Sequence, residues 1–220
     1  MSTDEISIRR CNWLLKQRGF RSWRETDMGQ VLPLQETNPD FLVETPAGIR
    51  FLMELKSLEK DTILRTIQAR TFSLGHMTLQ KRANRLVRDA AEQLLPYAGT
   101  NLPMVIALDN YRQVGISLDK HTLSSLFGEL EALITIDLET GGAVRREWTR
   151  EDDGSPLAGG RNQHVSAVLV LEPLERFDTI ETEDDFSVER GMRVRIVYNE
   201  EALVPLPTDV FSAPEDEHLN

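Results

Sequence analysis

Apolar positions recur along the chain in two rhythms, one helical and one alternating, and the switches between them predict its elements. Ile8, Cys11 and Leu15 stand at i, i+3 and i+7, which predicts a helix over residues 3–18. Ser2 and Glu5 have the spacing of a capping box at its start, and Gly19 is where it stops. Residues 20–30 are polar, with Arg18, Arg21 and Arg24 close together, and Val31–Leu34 predicts a short strand despite Pro33. Two strands follow, Asp40–Thr45 and Ile49–Lys56, joined at Pro46-Ala47-Gly48 as a hairpin. The second is nearly all apolar from Ile49 to Met53, as in a strand covered on both faces, and turns charged at Glu54.

Residues 57–77 keep neither rhythm. From Thr78 to Leu95 the helical period returns in Leu79, Ala83, Leu86, Val87, Ala90 and Leu94. Pro96 ends that helix, and Pro103–Leu108 reads as a buried strand. The order helix, strands, helix, strand predicts an α/β or α+β fold with a mixed sheet flanked by helices over residues 1–110. Beyond it, a short helix near Leu123–Leu130 and strands near Leu133–Leu138, His164–Leu171 and Met192–Tyr198 predict a β-rich extension, 111–210, packed on the same domain. Gly141-Gly142 and Glu151–Gly160 read as exposed turns, and the acidic tail 211–220 is expected to fray.

Composition narrows the class without changing this outline. At 220 residues, 40% apolar and 28% charged, the chain has the make-up of one large soluble domain with an extension. Cys11 is the only cysteine, which excludes an intrachain disulfide and a cysteine zinc site and suggests a cytoplasmic location. The longest apolar runs, Met104–Leu108 and Ala167–Leu171, are five residues each, so no membrane partner is expected. The net charge of −11 first argues against nucleic acid, which attracts basic surfaces. Yet residues 1–100 carry 15 bases against 12 acids, while residues 101–220 carry 10 against 24. The acidic half suits a protein partner, and the basic half is free to meet phosphate.

Chemistry concentrates in that basic half. Pro39-Asp40 opens one strand of the hairpin, and Glu54-Leu55-Lys56 lies at the end of the other. Glu54 and Lys56 are two apart in a strand and share a face, so three charges converge at one sheet edge. Neighbouring carboxylates repel unless a cation lies between them, and hard oxygen ligands suit Mg²⁺. A nearby lysine then orients or deprotonates an attacking water.

This arrangement resembles the PD-(D/E)XK nuclease superfamily, with its restriction-endonuclease-like fold, over about residues 1–110. The resemblance implies a metal site of Asp40, Glu54 and the Leu55 backbone carbonyl for Mg²⁺, or Mn²⁺ in its place. It assigns Lys56 to the nucleophilic water and phosphodiester hydrolysis to the protein, on DNA in preference to RNA. A homodimer is common among such proteins. Gln93-Leu94-Leu95-Pro96-Tyr97 is similar to the glutamine and tyrosine helix motif of RecB-like members, with Pro96 a departure, and it makes Gln93 an auxiliary contact. A polar helix end carrying a packed tyrosine would read the same way.

Lys56 to Arg88 contains eight bases, among them Lys60, Arg65 and Arg70, against Glu59 and Asp61. Lys81, Arg85 and Arg88, with Arg82 beside them, lie opposite the apolar stripe of their helix, as contacts to phosphate or as a solvated face. Glu5 is a cap or an additional ligand, and His76, His121, His164 and His218 show no metal-ligand spacing. Serine elbows, phosphate-binding glycine loops and nucleotide fingerprints are absent. The expected function is a Mg²⁺-dependent nuclease. The alternatives are a catalytically silent binding module of the same fold and an RNA-cutting defence effector.

Overall fold

The helical face around Cys11 forms α1, Thr3–Gln17, which ends in a Schellman closure. Gly19 takes a left-handed φ of 71°, its N–H donates to Lys16 C=O at 3.0 Å, and Phe20 N–H donates to Leu15 C=O at 2.9 Å. A computed structural model of the chain describes residues 3–33, 35, 37–58, 72–110, 118, 123, 125–127, 129–136, 143–151, 155–173 and 192–219. The predicted cap on Ser2, the turn at 141–142, His121 and the acids at 181–185 lie outside them, and of the turn 151–160 only residue 151 and residues 155–160 lie within them.

After β1, Arg21–Arg24, and the single turn α2, Glu25–Met28, come β2, Phe41–Glu44, and β3, Arg50–Ser57. The β2–β3 link is a tight turn in which Gly48, at φ 82°, donates to Thr45 C=O at 2.9 Å. Helix α3, Phe72–Leu94, carries the chain across one sheet face to β4, Met104–Asp109, which pairs parallel to β3. A one-turn 3₁₀ segment, Leu95–Tyr97, accommodates Pro96 at the end of α3.

The main sheet continues with β7, Val165–Pro173, β8, Met192–Tyr198, and β9, Glu217–His218, in the order β1-β2-β3-β4-β7-β8-β9. Its centre, β3-β4-β7, is parallel, and antiparallel pairs flank it at β1-β2-β3 and β7-β8. A separate antiparallel ribbon is made of β5, Glu129–Ile136, and β6, Ala143–Glu151.

Strand alternation divides the core into two layers. Leu52, Leu58, Ile106, Leu108 and Val168 face α3 and meet Ala83, Val87, Ala90, Ala91 and Leu94. Phe51, Met53, Leu55, Val105 and Ala107 face α1 and meet Cys11, Leu14 and Leu15. The chain is therefore a mixed α/β structure with helices on both faces of a seven-stranded sheet. Among the described residues no helix is long and apolar enough to cross a membrane.

Four expectations are corrected. Val31 and Leu32 form a turn after α2, their N–H groups bonding to Met28 C=O, and the strand lies earlier, at Arg21–Arg24. The polar make-up of β1 hid it, and an edge strand tolerates that make-up because only one side needs pairing. Of the helix expected near 123–130, Leu123 is helical and Ser125–Phe127 form a 3₁₀ turn, and β5 starts at Glu129, ahead of the expected 133. The great helix begins at Phe72, six residues before the point where its rhythm becomes regular. Finally, the tail is packed through residue 219. Phe211 is buried edge-on to Phe20 and Phe51, at centroid distances of 5.6 and 6.0 Å, and Leu219 is buried. Apolar residues interleaved with the acids hold it there.

Candidate active site

Strand β2 begins at Phe41 opposite Met53, so β3 runs past its neighbour from Glu54 onward. Asp40 closes the gap. Its Oδ2 accepts the Leu55 N–H at 2.9 Å, and its own N–H donates to Glu54 Oε2 at 3.3 Å. The carboxylates are thus crossed, each capping the backbone of the other's strand. By strand parity Glu54 and Lys56 share the α3 side with Leu52 and Leu58. Lys56 Nζ donates there to Glu54 Oε1 at 2.8 Å and to Gln93 Oε1 on α3. Asp40, Glu54, Lys56 and Gln93, four residues from three separate stretches of sequence, meet at the end of β3.

Charge is held there at a cost. Glu54 is 4% exposed, and burial, followed by the charge of Asp40, pushes its carboxyl up to about 7 against the hydrogen bond and charge of Lys56. Burial also raises Asp40, opposed by the Leu55 N–H and the charges of Lys56 and Arg24. The two carboxylates have one directly bonded cation, Lys56 on Glu54, and the charge of Arg24 acts on Asp40 in addition. Among the described residues no group of three or more His, Cys, Asp and Glu side chains comes together as a metal cage. Two carboxylates with a backbone carbonyl nonetheless fit Mg²⁺, which keeps several waters, and Leu55 lines the same cleft. Cys11 is no nucleophile, because burial, then Asp109 and Asp40, push its thiol far up.

The cleft off the end of β3 has a volume of about 790 Å³. Lys81, Arg82 and Arg85 of α3 border it together with Asp40, Glu54 and Lys56. Arg88 is exposed on the same helix but is not among the residues bordering the cleft. Arg85 Nε lies 3.7 Å from Asp89 Oδ2, with the two side chains 81% and 52% exposed, a pair weak enough to yield to phosphate. Lys60, Arg65 and Arg70 lie outside the described residues. His164 Nε2 is 2.8 Å from Ala91 C=O and ties β7 to α3, and His218 Nε2 is 2.8 Å from Phe211 C=O. Both are structural.

Two contributors act through contacts that the sequence does not show. Tyr97 is buried, and its hydroxyl donates to Asn38 Oδ1 at 2.5 Å and accepts the Gln35 N–H at 3.1 Å. Asn38 in turn donates to Glu25 Oε1 at 3.3 Å, so the tyrosine of the helix motif grips the loop that delivers Asp40. The motif flagged the residue but could not name its partner. Arg24 lies with its guanidinium carbon 5.0 Å from the Phe41 ring centroid and acts electrostatically on Asp40. Its only trace in the sequence is the Arg18, Arg21, Arg24 cluster. Comparison with protein-family models, curated proteins and solved structures returned no match.

Proposed function

We propose that the protein is a metal-dependent nuclease that hydrolyses phosphodiester bonds in DNA on a restriction-endonuclease-like core. The observation that carries this reading is the convergence of Asp40, Glu54 and Lys56 at one strand end, with Gln93 bonded to Lys56, beside a cleft that Lys81, Arg82 and Arg85 also border. Asp40, Glu54 and the Leu55 carbonyl would hold Mg²⁺, or Mn²⁺ in its place. When bound, such a cation supplies Lewis acidity to the phosphoryl group and offsets its negative charge.

The chain's own residues do the rest. Gln93 and Glu54 both accept hydrogen bonds from Lys56, which fixes the ammonium against the rotamer freedom of a lysine. Lys56 orients the attacking water and stabilises negative charge as the water oxygen bonds to phosphorus and the bond to the leaving sugar oxygen breaks in line. Lys81, Arg82 and Arg85 bind the strand by its phosphates, without base preference.

Glu54→Ala should abolish metal-dependent cleavage of a DNA substrate while the circular dichroism spectrum stays native; cleavage that survives sinks the assignment. Calorimetric titration with Mg²⁺ or Mn²⁺ should show one site in the wild type and none in Asp40→Asn. Absence of that site in the wild type would return the chain to a silent binding module.

A further inference from the structure

The α1 side of the cleft carries polar groups for which the hydrolytic site has no use. Ser7 is 1% exposed and borders the cleft, and its Oγ has no hydrogen-bond partner among the described residues. Ser57, the last residue of β3, borders the same cleft, and its Oγ is likewise buried without a partner. Ile8, next to Ser7, is shared with an adjoining hollow of about 490 Å³ bordered by Glu5, Arg9 and Arg24. The Arg24 Nε is buried without a hydrogen-bond acceptor while its guanidinium is braced on Phe41.

Buried hydroxyls and a guanidinium N–H left without acceptors are costly in a folded protein, and three of them around two hollows that meet at Ile8 call for an external acceptor. A tetrahedral oxyanion offers acceptors in several directions at once and answers a guanidinium and hydroxyls together. A serine presents its oxygen by a single χ1 turn, without moving the backbone.

We propose that Ser7 and Arg24, with Ser57 on the same cleft as Ser7, form a second oxyanion subsite that takes the phosphodiester on the far side of Asp40 from the α3 wall. The strand then crosses the carboxylates between two walls, Lys81, Arg82 and Arg85 on one side and Ser7 and Arg24 on the other. This rests on the nuclease reading and adds the path of the substrate to it.

The test is fluorescence anisotropy of a labelled single-stranded oligonucleotide without divalent metal, so that cleavage contributes nothing, over a salt series. Arg24→Gln should weaken binding about tenfold, with a log–log salt slope shallower by about one, while Arg24→Lys keeps most of the affinity. Ser7→Ala should weaken binding about threefold while its melting temperature holds or rises, since an unpaired buried hydroxyl is removed from a helix. Arg85→Gln reports the α3 wall independently. If Arg85→Gln weakens binding while Arg24→Gln and Ser7→Ala leave it unchanged, the second subsite is overturned and the nuclease reading stands. If the wild type binds no oligonucleotide even at low salt, the second subsite falls, and the nuclease reading is decided separately by the metal titration and the cleavage assay of Glu54→Ala. Oligonucleotides with and without a 5′-phosphate separate the sources of the oxyanion: equal sensitivity to Arg24→Gln supports a phosphodiester, and sensitivity confined to the phosphorylated strand overturns it in favour of a terminal phosphate.

Discussion

Glu54 concentrates the chemistry of the molecule in one side chain. Its carboxyl is raised to about 7 by burial and by Asp40, so the folded state holds a proton that the unfolded chain has released by then. The folded pKa lies above the unfolded one, so the stability contribution is full below about pH 4.5 and is lost as pH rises through about 7. Without metal, Glu54→Gln should therefore melt higher than the wild type at pH 8, by on the order of 2 kcal/mol, and the gap should close by pH 5. Mg²⁺ should raise the melting temperature of the wild type at pH 8 and leave that of Glu54→Gln unchanged, which thermal denaturation at the two pH values would read directly. Gln93→Ala leaves both carboxylates in place but frees one side of Lys56. It should lower kcat about tenfold with KM nearly unchanged, and steady-state kinetics that show a KM effect alone would refute the positioning role.

At the scale of elements, the parts of the site legible in the sequence are those set by local alternation. Glu54 and Lys56 share a face because they are two apart in β3, and Asp40 meets them because the hairpin turn fixes the register of the next residue, Phe41, against Met53. What joins distant elements was not legible: the grip of Tyr97 on Asn38, Arg24 over Phe41, and the edge strand β1 that carries Arg24. No local rhythm encodes which residue a buried hydroxyl will find some sixty positions away. Tyr97→Phe removes one hydroxyl from the 35–38 loop and leaves the ring packed, so it should cost about 1–2 kcal/mol in urea denaturation. It should also weaken the calorimetric Mg²⁺ site by loosening Asp40, an effect that a purely structural tyrosine would not produce. The buried pair Arg10–Asp109 fastens α1 to the end of β4 in a comparable way. Arg10→Ala removes the cation from a buried ion pair and should destabilise the fold by about 3–5 kcal/mol, measured by the same denaturation.

On the scale of the whole molecule, the charge of −11 is neither uniform nor idle. Lys56, Lys81, Arg82 and Arg85 of the first half border the cleft, while the terminal acids are engaged elsewhere. Arg18 reaches Glu215 at 2.6 Å and Asp216 at 2.8 Å, Asp216 accepts the Val194 N–H at 3.1 Å, and Arg195 reaches Glu217 at 2.8 Å. Strand β9 lies at the opposite edge of the sheet order from β1, with β4, β7 and β8 between it and β3. A tail held there by its own ion pairs and by Leu219 cannot occupy the cleft as a substrate mimic. Ending the chain at Pro214 should therefore leave oligonucleotide affinity within about twofold at 0.15 M salt, where charges more than about 8 Å away are largely screened. The same truncation removes β9, the buried Leu219 and the acceptors of Arg18, and should cost on the order of 3 kcal/mol in denaturant unfolding. A tail that acted as an inhibitory plug would give the reverse pair of results, tighter DNA binding and an unchanged unfolding midpoint. Because the two measurements move in opposite directions under the two accounts, one truncated protein decides between them.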